Sequence, residues 1–97
     1  AERGAVEVDV AVASAWLEDE SAILLDVREQ EELEMEWIPG ATPMPLSKLD
    51  AKEVADLNAG KIVVICHTGR RSKKAVERLI EYGIKDVYSV RDGRWLR

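Results

Sequence analysis

The sequence predicts an α/β domain, and three features carry that expectation. Short β-branched runs alternate with amphipathic helical stretches along the chain. Two of the runs, residues 22–27 (AILLDV) and 61–66 (KIVVIC), are almost wholly apolar, as expected of strands covered on both faces. The most regular helical stretch carries Ala75, Val76, Leu79 and Ile80 on one face and meets Gly83, a residue suited to the left-handed turn that stops a helix.

Residues 6–8 form a first short extended run. Asp9 is placed to cap a helix on which Val10, Ala13, Ser14 and Leu17 recur at helical spacing. The strand at 22–27 comes next. Residues 28–36 are polar and Glu-rich and suit a short helix, which Ile38-Pro39-Gly40-Ala41 breaks. Residues 42–46 suit a short extended piece that Pro43 and Pro45 confine to an edge or an irregular strand, because proline has no N–H to give a ladder. One or two helical turns are expected over 47–57, stopped near Asn58-Ala59-Gly60. The strand at 61–66 is the clearest in the chain. After it comes a stretch without apolar residues, His67-Thr68-Gly69-Arg70-Arg71, and then Ser72, which is placed to cap the helix ending at Gly83. Residues 86–90 read as the last strand and Asp92-Gly93 as a turn. Internal repeats, low-complexity tracts and linkers are absent from the sequence.

A length of 97 residues fits one domain, 1–97. Hydrophobic residues make up 46% and charged residues 34%, the balance of a globular chain rather than a disordered one. No apolar run reaches the roughly 20 residues that cross a bilayer, so no membrane partner is expected. The sequence has neither a leading Met nor a secretory apolar segment. The expectation is therefore a cytoplasmic protein, with any export signal removed earlier. The net charge of −5 argues against nucleic acid as a partner, since phosphate contacts need a basic face. Charge is uneven: Glu29, Glu31, Glu32, Glu34 and Glu36 crowd one segment, and Arg70, Arg71, Lys73 and Lys74 another. The acidic cluster reads as solvated surface, with a basic docking partner as the lesser alternative.

The single cysteine, Cys66, excludes an intrachain disulfide and any multi-cysteine zinc or iron–sulfur site, and no cofactor or metal is expected. Two roles remain for it, a small buried hydrophobe or a reactive thiol. The apolar strand it closes favours the first, and the Gly- and Arg-containing turn that follows favours the second. Cys66 lies where a central strand gives way to a helix, and in open α/β sheets ligands bind at that carboxyl end. A tight strand-to-helix loop turns successive N–H groups inward to form an anion-binding nest, which the positive end of the helix reinforces. Gly69 allows the backbone a conformation other residues resist, and Arg70 and Arg71 add positive charge. A thiol at the mouth of such a nest is expected to ionise readily, and the thiolate is the nucleophile. His67 is expected to border the pocket rather than serve as a general base, since sequence neighbours rarely face each other.

These residues, taken in order, resemble a rhodanese domain. Leu24-Leu25-Asp26-Val27-Arg28, Glu31 or Glu32, Ile38-Pro39-Gly40-Ala41 and Pro45-Leu46 are similar to its front half. Val63-Val64-Ile65-Cys66 with Gly69, Arg71-Ser72 and Ala75 is similar to its active-site half. Gly83 and Val87 match the family's helix end and the strand after it. The resemblance implies a three-layer fold, with a small parallel sheet flanked by helices on both faces. It also implies sulfur transfer by double displacement. The Cys66 thiolate takes the outer sulfur of a small anionic donor such as thiosulfate, and the persulfide passes it to cyanide, a thiol or a protein acceptor. On this reading Cys66 is catalytic, and His67, Thr68, Gly69, Arg70 and Arg71 bind the donor and the persulfide. Asp26, Arg28 and Ser72 support the site.

Loop length separates this reading from tyrosine-phosphatase-like enzymes, which place five residues between cysteine and arginine. Here Arg71 comes after four, and Ser72 holds the phosphatase position. The chain differs from the family in having Trp37 where His is usual, Pro43 within the short strand, and Arg91-Asp92-Gly93 before Trp95. It stops at Arg97, before the family's closing segment, which makes a C-terminally truncated domain one expectation. The competing functions are a binding or regulatory module of the same fold and a thiol redox sensor.

Overall fold

Alternation of apolar strands with amphipathic helices produces a parallel sheet covered on both faces. The structure, a computed structural model, describes residues 6–36, 38–67 and 69–91. In chain order the elements are β1 (Glu7–Val8), α1 (Val10–Glu18), β2 (Ala22–Asp26), α2 (Gln30–Met35), β3 (Thr42–Pro43), α3 (Ala51–Asp56), β4 (Lys61–Ile65), α4 (Arg70–Tyr82) and β5 (Val87–Val90), with a 3-10 turn at Leu46–Lys48 between β3 and α3. The strand order is β1-β5-β4-β2-β3, and every pairing is parallel. The two apolar runs of the sequence are therefore neighbours in the interior. Ile23 stands beside Ile62, Leu24 beside Val63 and Leu25 beside Val64, while β5 covers the other side of β4 with Val87 beside Ile62 and Ser89 beside Val64.

The side chains of β2 and β4 alternate between two cores. Ile62, Val64 and Cys66 join Leu25, Val27 and Val87 under α3 and α4, against Val54, Ala75, Val76 and Leu79. Val63 and Ile65 join Leu24, Ile38 and Val90 on the opposite face, against Ala13 with Val10, Trp16 and Leu17 of α1. This is the expected three-layer arrangement. On the α1 side the Trp16 ring packs on Tyr88 with centroids 5.0 Å apart, and the Lys61 ammonium lies 5.3 Å over the indole. The longest helix, α4, ends at Gly83 with φ 115°, as expected of its left-handed stop. Asn58 adopts φ 56° beyond α3, a conformation asparagine tolerates better than most residues.

Two caps differ from expectation. Asp9 stands at the N-cap of α1, yet its side chain makes no capping hydrogen bond there; its carboxylate instead accepts from Arg91 at 2.9 Å. Ser72 is not the cap of α4. The helix begins two residues earlier, after Gly69 at φ 89°, and Ser72 is buried within the first turn. Trp37, Trp95 and the Asp92-Gly93 turn lie outside the described residues. Among the described residues no helix is long and apolar enough to cross a membrane.

Candidate active site

Cys66 comes directly after the last residue of β4, the central strand, and is 0% exposed. The loop beyond it folds back over the sulfur because Gly69 takes a left-handed conformation that a side chain would strain. That turn aims the Gly69 N–H at Cys66 Sγ, 3.1 Å away, and the Ser72 N–H donates to the same sulfur at 3.3 Å. The N–H groups in a helix's first turn have no acceptor within the helix. In α4 the sulfur takes one of them.

Beneath the sulfur lies a chain of hydroxyls. Ser72 Oγ is 3.6 Å from Sγ, donates to the Gly69 carbonyl at 3.0 Å, and lies 2.6 Å from Ser89 Oγ on β5. Both serines are 0% exposed. Ser89 is a site residue that the sequence reading does not single out. The available signal is a lone hydroxyl residue inside the apolar run Val87-Tyr88-Ser89-Val90.

Around this floor the charged residues take unequal places. His67 and Arg70 are exposed, and Thr68 lies outside the described residues. Arg71 turns toward α2, where both oxygens of Glu32 receive its guanidinium: Nη1 donates to Oε1, and Nη2 donates to Oε2 at 2.8 Å. Glu32 Oε1 also accepts the Glu29 N–H at 3.0 Å, so one carboxylate joins the start of α2 to the start of α4. The Arg71 hydrogen bond holds the Glu32 carboxyl well below its ordinary value, at about 2, against the opposing effect of burial. The same contact raises Arg71, with a smaller contribution from Cys66. Glu29 accepts from the Ser47 hydroxyl at 2.6 Å and its N–H at 3.1 Å, and the hydroxyl bond is the main cause lowering its carboxyl. The acidic cluster is therefore only partly solvated surface: Glu31, Glu34 and Glu36 are exposed, while Glu29 and Glu32 brace the site. Their partners lie 18 and 39 residues away in the chain, a pairing that local pattern does not reveal.

Asp26 and Arg28 form a buried ion pair. The Arg28 main-chain N–H donates to Asp26 Oδ1 at 3.0 Å, its Nη2 to Oδ2 at 2.9 Å, and Nη2 also to the Glu36 carbonyl at 2.7 Å. The two side chains are 1% and 4% exposed. Among the described residues no three His, Cys, Asp or Glu side chains gather as metal ligands. What the arrangement offers chemically is a sulfur atom facing two N–H donors, with Arg71 of the following helix held on Glu32.

A family model for the rhodanese-like domain matches residues 9–94. The chain belongs to the rhodanese-like domain family. It is 43% identical over 76 residues to YrkF of Bacillus subtilis (strain 168), provisionally named a sulfur carrier protein; that match takes in 77% of this chain but only 40% of the length of YrkF. It is 35% identical over 78 residues to the thiosulfate sulfurtransferase GlpE of Pseudomonas syringae pv. syringae (strain B728a), with 79% of this chain and 73% of GlpE covered. Among solved structures, a rhodanese-related protein from Thermoplasma volcanium superposes with a TM-score of 0.74 at 29% identity, covering 92% of this chain and 86% of that one. The human single-domain sulfurtransferase TSTD1 shares the fold at a TM-score of 0.74 and 24% identity, with 93% and 92% covered.

Proposed function

We propose that this rhodanese-like domain is a sulfurtransferase that carries a sulfane sulfur on Cys66 as a persulfide. The observation supporting this most directly is the pair of main-chain N–H groups, from Gly69 and Ser72, pointing at Cys66 Sγ at 3.1 and 3.3 Å. Donors fixed on the sulfur in a water-poor site favour negative charge there at little reorganisation cost. The names of YrkF and GlpE, a sulfur carrier and a thiosulfate sulfurtransferase, support the same chemistry.

In the reaction the Cys66 thiolate attacks the outer sulfur of a small anionic donor of the thiosulfate type. A new S–S bond forms, the donor's own S–S bond breaks, and the electron pair leaves with sulfite. A thiol or protein acceptor then attacks the terminal sulfur as its thiolate, and the electron pair of the broken bond returns to Cys66. Gly69 and Ser72 supply N–H groups to the cysteine sulfur. Arg71, fixed by Glu32, is the positive charge closest in role to the donor's anionic end. Arg70 and His67 border the entrance, and Thr68 completes the loop by its place in the sequence. Asp26 and Arg28 hold the end of β2 rather than touch the reactants.

The test is intact-protein mass spectrometry of the reduced chain after incubation with thiosulfate, beside Cys66→Ser. The expected result is a gain of one sulfur atom that a reductant removes and that the serine variant lacks. No gain with thiosulfate or other sulfane donors would overturn the proposal and leave a binding module or a redox sensor as the better account.

A further inference from the structure

The Ser72–Ser89 hydroxyl pair takes no part in the bond changes of the double displacement, yet it is fully buried and hydrogen-bonded at 2.6 Å directly beneath the sulfur. Hydroxyls in such a position have to be accounted for proton by proton. Each serine brings one O–H and two acceptor lone pairs, and a thiol brings one weak donor. The acceptors are Cys66 Sγ, the Gly69 carbonyl and the two Oγ atoms.

With Cys66 a neutral thiol, the S–H donates to Ser72 Oγ, and the Ser72 O–H donates to the Gly69 carbonyl. The second lone pair of Ser72 Oγ is then filled by the Ser89 O–H. With the sulfur anionic, the S–H is gone and Sγ becomes an acceptor. Among the described residues the Ser72 O–H is the nearest hydroxyl, and it reaches the sulfur by rotating about one bond. The Gly69 carbonyl tolerates losing that donor because it also receives the Lys73 N–H at 3.2 Å. The Ser89 O–H keeps the same acceptor, Ser72 Oγ, in both arrangements.

We infer that Ser89 is a positioning residue: it anchors Ser72 so that the Ser72 hydroxyl turns between the Gly69 carbonyl and Cys66 Sγ as the sulfur loses and regains its proton. The anionic sulfur thereby gains a third donor beside the Gly69 and Ser72 N–H groups. Once the persulfide forms, charge moves to the terminal sulfur and the hydroxyl returns to the carbonyl. The charged groups on the elements around the pair are Arg70, Arg71, Lys73 and Lys74 on α4, Glu7 on β1, Glu29 and Glu32 about α2, Asp26 and Arg28 at the end of β2, His67 in the loop, and Arg91 after β5. None of them is a hydrogen-bond partner of Ser89 among the described residues. The inference rests on Cys66 as the reacting sulfur and concerns how its charge is held.

The experiment tracks alkylation of Cys66 by iodoacetamide over a pH series, read as mass gain on the intact protein. Ser89→Ala is expected to move the midpoint of the rate profile to higher pH and to slow alkylation on its acid side by about three- to tenfold, the size of one typical intramolecular hydrogen bond. Ser89→Thr, which keeps the hydroxyl, is expected to retain the parent profile. Ser89→Val, of similar shape without it, is expected to reproduce the alanine result, which separates the hydroxyl from packing. In a Ser72→Ala background, Ser89→Ala is expected to add nothing, because Ser89 acts through Ser72. A profile for Ser89→Ala and Ser89→Val superimposable on the parent would overturn the inference, as would an undiminished effect once Ser72 is alanine. Alkylation needs no sulfur donor. An unchanged profile therefore counts against this inference alone, whereas failure of the parent to take up sulfur counts against the sulfurtransferase proposal.

Discussion

Arg28, just beyond β2, and Arg71, at the start of α4, each clasp a carboxylate, yet one pair lies in the interior and the other at the rim. Arg28 and Asp26 are 4% and 1% exposed in their side chains, whereas Arg71 and Glu32 are 29% and 35% exposed. Interior charges have given up water, so each depends on its partner and on added hydrogen bonds such as that from Arg28 Nη2 to the Glu36 carbonyl. Rim charges keep part of their hydration and stay within reach of a solute. The same chemistry thus serves as framework in one place and as adjustable electrostatics in the other.

The largest effect is expected from breaking the interior pair on one side only. Asp26→Ala leaves the Arg28 guanidinium buried without its counter-charge and is expected to cost about 3–5 kcal/mol in urea unfolding. Replacing both partners, as Asp26→Leu with Arg28→Met, is expected to cost clearly less than the single change; an equal or greater loss would mean that the pair does more than balance charge. The rim pair is expected to behave in the opposite proportion. Glu32→Gln should lower stability by no more than about 1 kcal/mol, since solvent screens a half-exposed pair. Sulfur uptake at Cys66, measured by mass, should nevertheless slow several-fold as Arg71 loses its anchor. A stability loss matching that of Asp26→Ala would erase the distinction.

A smaller effect concerns acid. Glu32 titrates at about 2 in the folded chain, below its ordinary value of 4.5, so its contribution to stability is fully present above about pH 4.5 and fades as pH falls toward 2. The stability gap between the parent and Glu32→Gln should therefore narrow over that window, and a gap that widened would contradict the assigned contact. The smallest effect is expected at Lys52–Asp56, whose side chains are 72% and 66% exposed. Lys52→Ala should leave the urea midpoint within experimental error of the parent.

How much of the fold and site is legible in the sequence depends on how local each signal is. Residues 22–27 and 61–66 declare themselves as buried strands because sustained apolar runs have few other uses, and α4 shows both its periodicity and its stop at Gly83. The cysteine loop is legible because Cys66, Gly69 and Arg71 lie within six residues of one another. Ser72 suits a cap by residue type, but the left-handed Gly69 lets the helix start earlier and leaves the Ser72 N–H for the sulfur. Arg71 shows its charge but not its direction, because the carboxylate that holds it comes from another helix. Ser89 is the furthest from legible: only the register of β5 beside β4 brings it under a cysteine 23 positions earlier in the chain.

The two outermost strands of the sheet, β1 and β3, each run for only two residues, and the second carries Pro43. A longer border would offer a row of free N–H and C=O groups on which a foreign chain could polymerise as an additional strand. Here that template ends almost as soon as it begins, and at Pro43 it lacks the donor altogether. A domain with an all-parallel sheet thus limits its own tendency toward fibrous self-assembly by keeping its borders short, with β4 at the centre paired to β2 along its whole length and to β5 on its other side.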